Sequence, residues 1–138
     1  MSINLSTFAP NTQAKSSEVN TNFTTLKTAV EESSYRAFPW GIIGALSVSD
    51  EQGMKWIVPQ DRTVIKLWAK TDSGTATIRI QRDAINIHAG FNVTSTVGST
   101  TTFNVTALTA GQVLTLDITA ASGSGLWVVL ETQADSVV

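Results

Sequence analysis

The sequence predicts a mainly β protein: an extended N-terminal arm and one short α-helix, then an antiparallel, jelly-roll-like β-sandwich of about eight strands. Three observations carry that reading. Apolar residues alternate strictly in Thr75-Ala76-Thr77-Ile78-Arg79-Ile80-Gln81 and in Val113-Leu114-Thr115-Leu116-Asp117-Ile118-Thr119, the period of a strand with one buried face. Turn-forming clusters recur about every ten residues. The only helical pattern is confined to residues 16–34, and none returns between the later apolar runs.

Residues 1–15 are polar, contain Pro10 and show no sustained period, so they read as an extended arm. The helix follows over 16–34. Ser16 and Ser17 are good N-caps, and Glu18 places negative charge in the first turn, where the helix dipole favours it. Val19, Phe23, Leu26 and Val30 then recur at heptad a/d spacing for just under two heptads. The remaining faces are Asn, Thr and Lys. Threonine is a poor helix former, so this helix is marginal alone and something must cover its stripe. Two covers fit the spacing: its own β-domain, or the same helix in neighbouring subunits. A helix laid across a sheet normally carries a wider apolar band, and the narrow stripe favours self-association through Val19, Phe23, Leu26 and Val30.

The β-domain is expected over 37–133. Strands are placed at Ile42–Val48, Met54–Val58, Ile85–Phe91 and Thr101–Thr106, besides four with clear inward faces: Ile65, Leu67 and Ala69; Ala76, Ile78 and Ile80; Leu114, Leu116 and Ile118; Leu126, Val128 and Leu130. Turns are placed at Pro59-Gln60-Asp61, Asp72-Ser73-Gly74, Gly98-Ser99, Ala110-Gly111 and Ser122-Gly123-Ser124-Gly125. If those faces point inward, Val64, Lys66, Trp68 and Lys70 point outward on one strand, and Trp127 and Val129 on another. An outward tryptophan asks for a partner. Trp68, Trp127 and Val129 are therefore candidates for a protein interface or a glycan contact, or for the seat of the N-terminal helix.

Composition narrows the function. A chain of 138 residues suits one domain that buries roughly 70% of its unfolded surface and needs no covalent staple. It has no cysteine, which excludes disulfides, thiolate catalysis and cysteine-based metal sites. A net charge of -2 gives no basic footprint for nucleic acid. Charged residues are only 14%, below the usual quarter, and Thr, Ser and Asn take their place. The first residues lack a basic start and apolar stretch, and no run is long enough to span a bilayer; synthesis in the cytoplasm without membrane insertion is expected. Asn-x-Ser/Thr triplets at Asn4, Asn22, Asn92 and Asn104 are what a Thr-rich chain produces by chance.

Motifs of chemistry are missing from the sequence. His88 is the single histidine, set inside a probable strand with no Ser/His/Asp grouping around it. Gly123-Ser124-Gly125 lacks the Lys and helix of a phosphate loop, and Asp50-Glu51 and Asp61 lack calcium-loop spacing. The expectation is a non-enzyme with no cofactor and no metal.

The stretch Phe8-Ala9-Pro10-Asn11-Thr12, then Ser16-Ser17-Glu18-Val19-Asn20-Thr21-Asn22-Phe23 and Leu26, resembles a segment recurrent near the N-terminus of tailed-bacteriophage virion proteins. Glu18, Val19, Asn20, Asn22 and Phe23 match it position by position, over about 20 residues in all, with the specificity of phage structural proteins as a class. The remainder, including the Trp56-Ile57-Val58-Pro59 step, is similar in rhythm to the small β-sandwiches of phage fibre and decoration proteins. The resemblance implies a homotrimer gathered on the helix, with the arm reaching a neighbouring virion protein, the major capsid protein first among them. A single compact head after an assembly helix fits a capsid decoration (cement) protein or short head fibre better than a tail fibre. The alternatives are a tail-fibre or receptor-binding component, and a carbohydrate-binding module that stacks host-surface glycan on Trp68, Trp127 or Trp56.

Overall fold

The computed structural model describes residues 20–26 and 35–135. The expected arm, residues 1–15, lies outside the described residues, as do Val19 and Val30. The chain divides into two units, of which Arg36–Asp135 is the β-domain. In the other unit residues 20–26 are helical. Thr24 and Thr25 there donate their hydroxyls to the carbonyls of Asn20 and Thr21, at 2.9 and 3.0 Å, the local bond by which threonine is accommodated inside a helix.

Among the described residues nine strands form two antiparallel sheets. They are β1 (Tyr35–Ala45), β2 (Trp56–Ile57), β3 (Arg62–Ser73), β4 (Ala76–Arg82), β5 (Ile85–Val93), β6 (Gly98–Thr100), β7 (Ala107–Leu108), β8 (Val113–Ala121) and β9 (Ser124–Ala134). The first sheet runs β1-β9-β3-β6, with β7 also paired to β3, and the second runs β2-β8-β4-β5. Their inner faces share one core that includes Trp40, Leu67, Ile78, Ile80, Leu116 and Leu130, all buried. This is the expected β-sandwich with one short helix. The inward faces read from β4, β8 and β9 are all buried, because strict alternation leaves only one face able to reach the core.

Except for β4–β5 and β6–β7, every connection passes from one sheet to the other. Two of those corners, β3–β4 and β8–β9, meet. A Cβ on Gly74 would stand 2.6 Å from the Cα of Gly123 and 2.6 Å from the Ser122 carbonyl oxygen, and one on Gly123 would collide with the Ser73 carbonyl. Gly74 also sits at φ +70, a left-handed conformation that glycine adopts without steric cost. Hydroxyls close the junction on both sides: Ser73 Oγ to Ser124 Oγ at 2.8 Å and Thr75 Oγ1 to Ser122 Oγ at 2.9 Å.

The departures from expectation have local causes. Val64 is buried, and Ile65 does not share the inward face of Leu67 and Ala69, because a register shift falls between Val64 and Lys66; a bulge inverts the alternation on one side of itself. Strand β1 starts well before Ile42. Pro39 and Gly41 disguise it, and Pro39 is tolerated because β1 is an edge strand. Gly98-Ser99 is strand β6 and not a turn, while residues 101–106 carry no strand. The β4–β5 hairpin turns on Asp83 and Ala84 at φ 45 and 66, a conformation usually announced by Asn or Gly.

Asp117 is a further surprise. It lies between the inward Leu116 and Ile118, yet it is itself buried, on the opposite face of the sheet. Arg79, its cross-strand partner, donates Nε and Nη2 to Oδ2 at 2.8 and 2.7 Å, and the Glu51 amide donates to Oδ1 at 2.7 Å. The backbone around Glu51 is pinned as well. Ser49 and Ile118 exchange backbone bonds, and the Gln52 amide donates to the Leu116 carbonyl at 2.6 Å. Asp117 thus holds the 49–54 excursion against β8. Removing a buried, paired carboxylate strands its cation and an amide, so Asp117→Ala should lower stability by about 3 kcal/mol. Chemical denaturation, with hydrogen exchange at the Glu51 and Gln52 amides, measures both effects; unchanged protection there would remove this role from Asp117.

Candidate functional site

The chemistry-bearing side chains are dispersed. Among the described residues no group of three or more His, Asp or Glu is placed to hold a metal, and no helix is long and apolar enough to cross a membrane. His88 lies on β5 opposite Ile80. Its ring meets Phe91 and Phe103 edge-on, at centroid distances of 5.6 and 6.4 Å. The Gly90 amide donates to Nδ1 at 3.3 Å, a bond that the neutral ring accepts. Burial lowers the pKa of this imidazole below its ordinary value.

Of the helical stripe, Phe23 and Leu26 are described, and they are 67% and 39% exposed. Such exposure of a large aromatic beside a leucine on one helix leaves apolar area to be covered.

The structure brings Trp68, Trp127 and Val129 together. They lie on the outer face of the first sheet, where β3 and β9 pair Trp68 with Val129 and Lys70 with Trp127. The tryptophans are therefore diagonal neighbours, within side-chain reach across the strand pair. With Ala69, Lys70 and Val97 these three residues line a shallow groove of about 220 Å³.

Each indole is fixed by what lies beneath or beside it. Lys66 Nζ sits 3.9 Å from the centre of the Trp68 ring, a cation–π contact that holds one face. Trp127 lies over β1 at Gly41, where a Cβ would stand 2.8 Å from Cζ3 and 3.1 Å from Cε3. Its Nε1 donates to Asp72 Oδ1 at 2.9 Å. Glycine at position 41 thus makes the seat, and Asp72 sets the rotation of the ring. Trp127 remains 44% exposed, so part of the ring stays open to solvent while its Cε3–Cζ3 edge is packed on Gly41.

The other tryptophans are differently placed. Trp40 is in the core, with Nε1 donating to the Met54 carbonyl at 2.6 Å. Trp56 packs against the core, tilted on Phe38 at 6.0 Å, and its Nε1 donates to the Pro39 carbonyl. Trp56, expected as a stacking surface, is thus engaged in packing. A second cleft, of about 330 Å³, lies at the corner junction among Thr75, Thr77, Asn92, Thr94 and Ser122. Its polar side chains bond to one another, Thr75 to Ser122 and Thr77 to Asn92.

Sequence reasoning found the outward tryptophans by alternation, and missed Gly41 and Asp72, which orient one of them. A glycine within a run of β-formers was the available signal, since it marks close approach by a neighbour.

Two measurements probe these local environments. In Gly41→Ala the new methyl must displace the Trp127 ring, at a cost of about 1–3 kcal/mol. Fluorine NMR of fluorotryptophan-labelled protein should show the Trp127 resonance shifting while that of Trp40 stays in place. Histidine NMR titration should place the His88 midpoint below 6.5. The sign follows: a folded pKa below the unfolded one gives stability that is present above the ordinary histidine pKa and is lost as pH falls through the folded value. A midpoint at or above 6.5 would contradict the covered ring described above.

No protein-family model matches the chain, and no curated protein is recognisably similar to it.

Proposed function

We propose that the chain is a non-enzymatic virion structural protein of the capsid-decoration or short head-fibre type, a homotrimer gathered on its N-terminal helix and attached through its N-terminal region to other virion proteins, chiefly the major capsid protein. The observation that supports this most is that the described part of the phage-like segment, residues 20–26, is a helix on which Phe23 and Leu26 are exposed. An a/d stripe of this kind is satisfied by copies of itself around an axis. The β-domain supports the reading in a second way, because it carries a core of its own apart from the helix. A receptor-binding or carbohydrate-binding role is the second reading, favoured by the exposure of Trp127 beside Trp68 on the outer face of the first sheet.

Burying one Phe23 side chain in such an axis is worth on the order of 2 kcal/mol per copy, and truncating a fully buried phenylalanine costs about 3–5 kcal/mol. Leu26→Asp and Phe23→Ala should each convert a trimer to monomers with an unchanged β-sheet circular dichroism spectrum. Sedimentation equilibrium at micromolar concentration reads the mass. A monomeric wild type, or a trimer that survives Leu26→Asp, counts against the assembly helix. Co-sedimentation with capsids lacking the protein tests the location, and failure of the wild type to bind them counts against decoration.

A further inference from the structure

We propose, on the carbohydrate-binding reading given above, that the groove between Trp68 and Trp127 is a binding site for an acidic saccharide, with a sugar ring stacked on the exposed Trp127 indole and its carboxylate on Lys70. The stacking half of the argument comes from how Trp127 is held. Its Cε3–Cζ3 edge packs on Gly41 and its Nε1 is bonded to Asp72, so the ring is oriented before any ligand arrives and little side-chain entropy is lost on binding. A broad π face carries partial negative charge and suits the C–H bonds on the apolar face of a pyranose.

The charge half comes from the groove's other residues. Lys70 is the one charged residue among those that line it. It stands directly across from Trp127 in register, is exposed, and makes no ion pair among the described residues. Lys66 stands on the far side of Trp68 and is likewise without an ion pair. Of the nearby carboxylates, Asp72 borders the groove and accepts the Trp127 N–H, while Glu131 is opposite Lys66, beyond Val129. An aromatic face beside an unpaired ammonium matches a ring that has one apolar side and one carboxylate, as uronic and sialic acids have. The groove is shallow and runs over the surface of a sheet, which suits a stretch of polysaccharide better than a small molecule that must be enclosed.

The full-length protein is titrated with hexagalacturonate and with an α2,8-linked tetrasialic acid, followed by calorimetry and tryptophan fluorescence. At least one should bind with micromolar to millimolar affinity and alter the Trp127 signal. Methyl-esterified hexagalacturonate and the variant Lys70→Gln should each bind about tenfold more weakly, the worth of one charge-assisted contact. Trp127→Ala should abolish binding. Lys70→Gln alters an exposed position and keeps the test valid if Trp127→Ala does not fold. The proposal is overturned if neither acid binds at millimolar concentration, or if binding is indifferent to both variants. It is also overturned if Trp127→Ala lowers the sedimenting mass, which would make this face a contact between copies.

Discussion

Backbone meets backbone where the β3–β4 and β8–β9 corners pass each other at Gly74 and Gly123. At this point the chain twice changes sheets, so β3 and β9 are neighbours in one layer while β4 and β8 are neighbours in the other. The same junction sets the register of both central strand pairs, with Ser73 opposite Ser124 and Ala76 opposite Ala121. Everything outside these four strands is added to them. A side chain at either glycine would force the corners apart, and the two sheets would lose the alignment in which Leu67, Ile78, Leu116 and Leu130 share one core.

From that frame the two outer surfaces diverge. On the second sheet, the outward Asp117 is covered and joined to Arg79 and the 49–54 excursion, so polar groups there are satisfied internally. On the first sheet, β3 and β9 place Trp68 and Trp127 outward with Lys66 and Lys70. One layer closes on itself with ion pairs and the other displays aromatic surface. This composition, aromatic beside lysines, differs from the small neutral residues frequent in the rest of the chain.

The parts of this arrangement that were legible in the sequence are those where periodicity alone decides. Leu114, Leu116 and Ile118, or Leu126, Val128 and Leu130, could face only one way, and the outward tryptophans followed from the same logic. The illegible parts depend on contacts distant in sequence. Ile65 seemed to continue the face of Leu67 until the bulge put Val64 in the core. Pro39 and Gly41 concealed β1, one through its missing donor and the other through its missing side chain, although Gly41 is glycine because Trp127 lies on it. Asp117 resembled an ordinary outward acid; only the Arg79 at the matching position of the other alternating strand hinted at the pair. The helical stripe was visible as spacing, but spacing does not name the surface that covers it.

Strand β1 has a consequence for crowding. It is an eleven-residue strand at the margin of its sheet, the kind of border along which β proteins polymerise. Pro39 deprives it of one backbone donor, and Gly44 at φ 91 turns the chain out of the extended conformation near its end. At the opposite sheet, the border strand β5 meets β4 with register shifts on either side of Ile80, which disturb the flat repeat an incoming strand would copy. Both features oppose the pairing of one molecule's border strand with another's when copies are crowded together.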